Sequence, residues 1–202
     1  MKLWNHTWPV CALVIATAAS LPAQSDPAYT EADVRFMQGM IGHHAQALAM
    51  TALIPDRTDS REIRLLGQRI EVSQRDEIRM MQQWLRDRKR DAPSGDPQAS
   101  HMNMPGMAMP DTLMPGMLTP AQLTELGVAR GKAFDKLFLR DMIQHHQGAL
   151  TMVARLLGTT GSGQEPEVFR FAAEVDTDQR AEIARMNGLL ESLGTTGAAP
   201  TR

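Results

Sequence analysis

The sequence predicts an all-α fold, a four-helix bundle built from two tandem helical hairpins joined by a long methionine-rich linker. The composition favours helix, because aromatic residues make up only 4% of the chain while Ala, Leu, Met, Gln, Glu and Arg are abundant. The first half of the sequence also resembles the second, and the apolar residues of both halves recur at helical spacing. Two hairpins that each bury one apolar face complete a bundle of four helices.

The internal repeat consists of two blocks that occur in the same order in each half. Residues 36–54 read FMQGMIGHHAQALAMTALI and residues 138–156 read FLRDMIQHHQGALTMVARL. The block QRDEIRMMQQWL, which begins at Gln74, recurs as QRAEIARMNGLL from Gln179. Each half is therefore expected to form the same pair of antiparallel helices.

Four helices follow from the apolar periodicity and from the positions of proline and glycine. The predicted spans are 31–54, 60–88, 120–157 and 166–193. Pro55 follows the first helix, Gly127 and Gly131 are weak points within the third, and Gly194 closes the fourth. The domain organisation is then a first hairpin at 24–88, a second hairpin at 119–194 and a flexible tail at 195–202.

The N-terminal segment, residues 1–23, has the features of a secretory signal peptide. Lys2 precedes a short apolar stretch, and small residues lead to a cleavage site after Ala23, although the position of the cut stays open. The stretch is too short for a stable membrane span, and its retention as an anchor is the alternative. We expect a periplasmic or secreted protein whose single cysteine, Cys11, leaves with the signal. Its metal ligands would then be His, Met and carboxylate groups.

Two glutamates lie on the apolar faces of the second and fourth predicted helices. On a helical wheel Glu77 shares a face with Ile70 and Met81, and Glu182 shares one with Val175 and Met186. A carboxylate in an apolar core costs several kcal/mol unless it is protonated, paired or bound to a metal. Each glutamate is therefore expected to have a partner inside the bundle.

Paired histidines supply that partner. His43 and His44 flank the face of the first helix that is centred on Met40, and the third helix repeats the arrangement. The sequence predicts a polar, metal-competent layer inside the bundle, and a buried His–Glu hydrogen-bond network that fixes helix register is the alternative. The predicted bundle ligands are His43, His44, His145, His146, Met40, Met142, Glu77 and Glu182.

Three neighbouring polar residues are assigned supporting roles. Gln74 and Gln179 are expected to orient the imidazoles by hydrogen bonding. Asp33, close to a helix start, is expected to cap that helix.

The linker, residues 89–118, is rich in Pro, Gly, Ser and Met, and from His101 it reads HMNMPGMAMPDTLMPGM. At about 3.3 Å per extended residue it can cross the whole bundle, so up-and-down and crossover orders of the helices both stay open. Thioether sulfur is a soft, neutral ligand for Cu(I). The linker therefore predicts a copper site separate from the metal-competent layer of the bundle. A flexible lid or a surface for a partner protein is the alternative. Its predicted ligands are His101, Met102, Met104, Met107 and Met109.

The repeated motifs resemble those of a family of exported bacterial proteins catalogued as domain of unknown function 305, which is placed with the ferritin-like helical bundles. The resemblance implies a small periplasmic bundle and, because some members are associated with copper binding and tolerance, a role in copper handling. Paired Glu-x-x-His motifs of di-iron bundles are lacking, which disfavours oxidase chemistry. The residues that carry the resemblance are Phe36, Met40, Ile41, His43, His44, Ala47, Met50, Gln74, Glu77, Ile78 and Met81, with Phe138, Met142, Ile143, His145, His146, Met152, Gln179, Glu182, Ile183 and Met186 in the second half.

The functional prediction is an exported protein that binds copper, sequesters it or hands it on, and catalyses no reaction. Cu(I) is favoured and Cu(II) is compatible with the same residues. The formal net charge of −2 disfavours a nucleic-acid partner, whereas a copper-handling partner protein and a homo-oligomer both stay open. The alternatives are a ferritin-like metal-dependent oxidase and a metal-free helical interaction module.

Overall fold

A computed structural model describes residues 28–96 and 113–195, and within these ranges every regular element is an α-helix. The predicted all-α bundle is confirmed. The signal segment, most of the methionine-rich linker and the C-terminal tail lie outside the described residues. Within the described ranges, no helix combines the length and apolar character that crossing a membrane requires. The helices are α1 Glu31–Thr51, α2 Ile54–Arg57, α3 Arg61–Asp87, α4 Pro120–Val128, α5 Gly131–Gly158 and α6 Pro166–Thr195.

The third predicted helix is in fact two helices, so its prediction as one span was wrong. α4 ends at Val128, Ala129 and Arg130 adopt extended backbone conformations, and α5 begins at Gly131 with a φ of 55°. A positive φ is incompatible with a continuous helix and is readily adopted by glycine. The first predicted helix is also shorter than expected, because α1 ends at Thr51 and the chain begins a separate helix, α2, at Ile54. Pro55 lies in the first turn of α2, where its missing N–H is tolerated.

The bundle joins its two hairpins through α1 and α5. α1 packs against α3, α5 packs against α6, and the contact between α1 and α5 brings the hairpins together. Two apolar clusters fill the interior, one containing Met40, Trp84 and Phe171 and the other containing Phe134 and Met142. Along each long helix the histidines or glutamates lie between the residues of these clusters, so the polar layer separates two apolar halves of the core.

The N-terminus of α1 is fixed by Asp33, which confirms its predicted role as a capping residue. The backbone N–H of Asp33 donates to Oγ1 of Thr30, and Oδ2 of Asp33 accepts from the N–H of Thr30 at 2.7 Å. These two hydrogen bonds form a capping box. Its Oδ1 accepts from the backbone N–H of Gly163 at 2.7 Å. One buried carboxylate therefore caps α1 and ties it to the loop before α6.

We expect Asp33→Asn to lower the free energy of unfolding by about 1 kcal/mol. The amide has the same shape but only one acceptor oxygen, so either Thr30 or Gly163 loses its partner. Asp59→Asn is the control, because Asp59 is solvent-exposed and bonded to Arg64 at the surface, where an ion pair contributes little. Urea unfolding of both variants measures the difference, and equal stabilities would contradict this account of the cap.

Candidate metal centre

The four histidines of the repeat lie in the middle of the bundle, and each is at most 1% exposed. His43 on α1 and His145 on α5 face each other where the hairpins meet, with ring centroids 3.9 Å apart and ring planes inclined by 37°. His44 lies beside His43 at 6.4 Å, and His146 lies beside His145 at 6.2 Å. The repeat thus places imidazoles from both hairpins in one layer.

Each outer histidine binds the glutamate of its own hairpin. Nε2 of His44 lies 2.5 Å from Oε2 of Glu77, and Nε2 of His146 lies 2.5 Å from Oε2 of Glu182. Ser73 adds a hydrogen bond by donating its hydroxyl to Oε1 of Glu77 at 2.8 Å. These short contacts compensate for the burial of both carboxylates.

The environment of Glu77 favours its ionised form. Burial by itself raises the pKa of the carboxyl, but the interaction with His44, together with the hydrogen bonds from His44 and Ser73, lowers the pKa below its usual range. Glu77 therefore acts as a hydrogen-bond acceptor that holds an imidazole.

The two inner histidines are held by backbone carbonyl groups. Nε2 of His43 lies 3.0 Å from the oxygen of Pro115, and Nε2 of His145 lies 2.9 Å from the oxygen of His43. A carbonyl oxygen only accepts hydrogen bonds, so Nε2 carries the proton in both rings. Burial, followed by the neighbouring imidazoles, lowers the pKa of His43 to about 3 and lowers that of His145 well below its usual value. Both rings are neutral at physiological pH, and their Nδ1 atoms carry free lone pairs.

The Nδ1 atom of every one of the four imidazoles is buried and has no hydrogen-bond partner. A buried polar atom without a partner costs about 1–3 kcal/mol, and here the cost arises in both repeats. Imidazole with one nitrogen bound to carboxylate or carbonyl and the other free is the usual arrangement of a histidine metal ligand. The chemistry of this donor set therefore fits a transition-metal ion.

The predicted role of Gln74 and Gln179 was wrong. The Oε1 atoms of both amides are buried without a partner, and the glutamates and backbone carbonyls hold the imidazoles instead. Ser73 was not among the predicted site residues, although it lies one helical turn before Glu77, and this i, i+4 spacing was the available signal.

The other predicted ligands are the bundle methionines, Met40 and Met142, and the residues of the linker. Met40 and Met142 are fully buried, in different apolar clusters, each three residues before an inner histidine. Among the described residues, no group of three or more His, Cys, Asp or Glu side chains is arranged to hold a metal ion. The linker candidates His101, Met102, Met104, Met107 and Met109 lie outside the described residues.

The end of the linker packs beside the histidine layer, against α1 and α5. Gln46 fixes this segment by accepting from the N–H of Leu118 at 2.7 Å and donating to its carbonyl oxygen at 3.0 Å. The backbone of Pro115 and Gly116 lies directly on Gly148 of α5. These contacts position the carbonyl oxygen of Pro115 that binds His43.

The family described as Domain of unknown function (DUF305) matches residues 33–191. The chain belongs to the DUF305 family. This confirms the resemblance that the repeated His and Glu motifs indicated. The matched region of this DUF305 chain covers almost all of both hairpins and the whole histidine layer.

Solved structures of other DUF305 proteins have the same fold. A putative secreted DUF305 protein from Streptomyces coelicolor is 33% identical, with a TM-score of 0.65 and coverage of 81% of this chain and 94% of that chain. A DUF305 fragment from Deinococcus radiodurans is also 33% identical, with a TM-score of 0.67 and coverage of 82% and 99%.

CopM in its Cu(II)-bound form is also similar, with 28% identity, a TM-score of 0.61 and coverage of 79% of this chain and 96% of that chain. CopM has been solved in a Cu(I)-bound form as well, and that structure is 26% identical over 82% and 98% of the two chains, with a TM-score of 0.59. The comparison with curated proteins found no significant match to the chain.

Proposed function

We propose that this DUF305 protein binds copper ions at its histidine layer and sequesters them or hands them on. The observation that carries the proposal is the set of buried imidazoles whose Nε2 atoms are held while every Nδ1 atom is free. Imidazole is a preferred ligand of copper among the first-row metals. The similarity to CopM, which has been solved with copper bound, supports the choice of metal.

Both oxidation states of copper are compatible with this donor set, and we favour Cu(I). Met40 lies one helical turn before His43, and Met142 lies one turn before His145, so each repeat places a thioether and an imidazole on adjacent turns. Thioether sulfur prefers Cu(I), whereas imidazole also binds Cu(II). Methionine and histidine together therefore allow the ion to be bound in both states.

We infer binding and release of copper, without catalysis. Ferritin-like oxidases use several carboxylates to bridge two metal ions. Here Glu77 and Glu182 each bind a histidine in the same hairpin, so they act through the imidazoles. Oxygen electrode measurements after addition of Cu(I) are expected to show no uptake beyond that of a protein-free control, and catalytic uptake would contradict this inference.

We place the protein outside the cytoplasm, in the periplasm or secreted. The N-terminal 23 residues have the pattern of a signal peptide, and the similar protein from Streptomyces coelicolor is described as a putative secreted protein. Histidine and methionine suit an oxidising compartment because they do not form disulfides.

The test of the copper proposal is the double substitution His43→Gln and His145→Gln. The glutamine amide can donate the same hydrogen bonds as Nε2 but has no atom in place of Nδ1. We expect copper affinity, measured by competition with a chromophoric chelator, to fall at least tenfold in the double variant. Gln147→Ala, at an exposed position of the same helix as His145, is the control. Unchanged affinity in a folded double variant would show that the histidine layer is not the copper site.

A further inference from the structure

A groove of about 250 Å³ opens between α3 and α6, outside the histidine layer. Met37 of α1 and Met81 of α3 line it as nearly inaccessible side chains, with exposures of 1% and 0%, and Met80 lines it with an exposure of 48%. The indole of Trp84 also faces the groove. Three methionines from two helices therefore line one depression that solvent can enter.

The charges around this groove favour a cation. Its lining includes the carboxylates of Asp87, Glu167 and Glu174 and one guanidinium, that of Arg170. Glu167 is bound by Arg88 at 2.8 Å. Even with the charge of Arg88 included, three carboxylates outnumber two guanidinium groups, so the rim carries net negative charge. A cation that enters the groove is attracted by its rim and meets neutral sulfur atoms on its floor.

A second methionine-lined groove provides a comparison within the same molecule. It lies between α1 and α5, has a volume of about 410 Å³ and is lined by Met114 and Met152. Its charged lining residues are Arg35 and Arg155, and its described lining contains no carboxylate. Thioethers there are flanked by positive charge, which disfavours a metal cation.

We propose that the groove between α3 and α6 is a separate binding site for a soft monovalent cation, Cu(I) or its analogue Ag(I), with Met37, Met80 and Met81 as ligands. The site extends the copper function proposed above, but it uses none of the histidine ligands. Thioethers bind soft ions without releasing a proton and discriminate against hard ions such as Mg²⁺ and Ca²⁺. Methionine has three rotatable bonds, so buried sulfur atoms can turn towards an entering ion.

The groove is close to the histidine layer along α3. Met81 follows Glu77 by four residues, about one turn of helix or 6 Å along its axis. An ion held by Met81 is therefore one helical turn from the carboxylate that binds His44. This proximity suits a groove that takes up the ion before it reaches the interior.

The experiment is a titration of the full chain with Ag(I), followed by the fluorescence of Trp84. Trp84 is fixed beside the groove by an indole N–H bond to Glu165 at 3.3 Å and by the guanidinium of Arg88 at 4.3 Å from the ring centroid. A bound heavy ion quenches a neighbouring indole, and Trp84→Phe identifies the share of the signal that comes from this residue. We expect saturable quenching in the parent chain.

The decisive variants replace methionine with leucine, which has nearly the same volume and is well tolerated in cores. Met80→Leu and the triple variant at 37, 80 and 81 are expected to weaken Ag(I) binding at least tenfold, with helicity retained by circular dichroism. Met152→Leu, in the arginine-flanked groove, is the matched control and should leave quenching unchanged. Unchanged quenching in the triple variant, or equal losses in Met152→Leu, would overturn the proposal.

The histidine variants separate this proposal from the function proposed above. His43→Gln with His145→Gln is expected to retain the Ag(I) quenching of Trp84, because the groove uses only thioether ligands. Loss of quenching in that folded variant would place the ion in the histidine layer and refute a separate site. Retained quenching in a variant that has lost its high-affinity copper would support the groove independently.

Discussion

Lowering the pH of the metal-free chain from 7 to 5 is expected to reduce its free energy of unfolding by about 3 kcal/mol. His43 and His145 are fully buried, and burial lowers the pKa of both below the ordinary value of 6.5. At pH 5 the unfolded chain protonates both rings, whereas the folded chain keeps them neutral. Each unit of pH below about 6.5 therefore costs about 1.4 kcal/mol per histidine.

The direction of this effect follows from proton binding. The folded state binds fewer protons than the unfolded state between the unfolded pKa near 6.5 and the folded pKa, which is about 3 for His43. Stability consequently falls as the pH falls through this window, and it levels off only below the folded pKa. Glu77 acts in the same direction at lower pH, because its pKa is lowered in the folded state. Burial raises the pKa of the half-buried Asp141 to about 6, so this carboxyl opposes the histidines and offsets about 1 kcal/mol of their effect at pH 5.

Urea unfolding at pH 7, 6 and 5 in the presence of a chelator measures this dependence. The variant His43→Gln with His145→Gln lacks both titrating groups and should have a much smaller slope over the same range. A parent chain whose stability is constant from pH 7 to 5 would show that these imidazoles are not held neutral in the folded state.

The helical architecture could be predicted because it depends on local and repeated patterns. Apolar spacing identified the long helices, and the internal repeat indicated that they form two equivalent hairpins. The break between α4 and α5 was not predicted, although Gly127 and Gly131 marked the region. Glycine permits a positive φ but does not require it, so tertiary contacts decide whether a helix continues.

The histidine layer was predicted in composition but not in its hydrogen bonding. A helical wheel identifies which residues face the core, so His44 and Glu77 could be paired from the sequence. It contains no information about backbone groups contributed by distant loops, such as the carbonyl oxygen of Pro115 that binds His43. Gln74 was predicted to orient an imidazole, but in the structure Glu77 has this role. Both residues lie on the same face of α3, and only the three-dimensional register of the helices separates them.

The largest effect expected of a single substitution is that of Gly148→Ala. A Cβ atom at Gly148 would lie 1.9 Å from the carbonyl oxygen of Pro115 and 2.7 Å from Cα of Gly116. Both are backbone atoms, so no side-chain rotation relieves the overlap. Overpacking of this kind costs about 3 kcal/mol, and the better helix propensity of alanine offsets about 1 kcal/mol. We expect a net loss of about 2 kcal/mol in urea unfolding.

Gly188→Ala is the matched control, because Gly188 lies within α6, is exposed and has open space where a Cβ would be added. This substitution should raise stability by about 1 kcal/mol through helix propensity alone, so opposite signs are expected for the same chemical change. Displacement of Pro115 in Gly148→Ala would also remove the acceptor that holds Nε2 of His43. Copper affinity should therefore fall in Gly148→Ala and stay unchanged in Gly188→Ala, whereas equal affinities would show that the linker segment does not position His43.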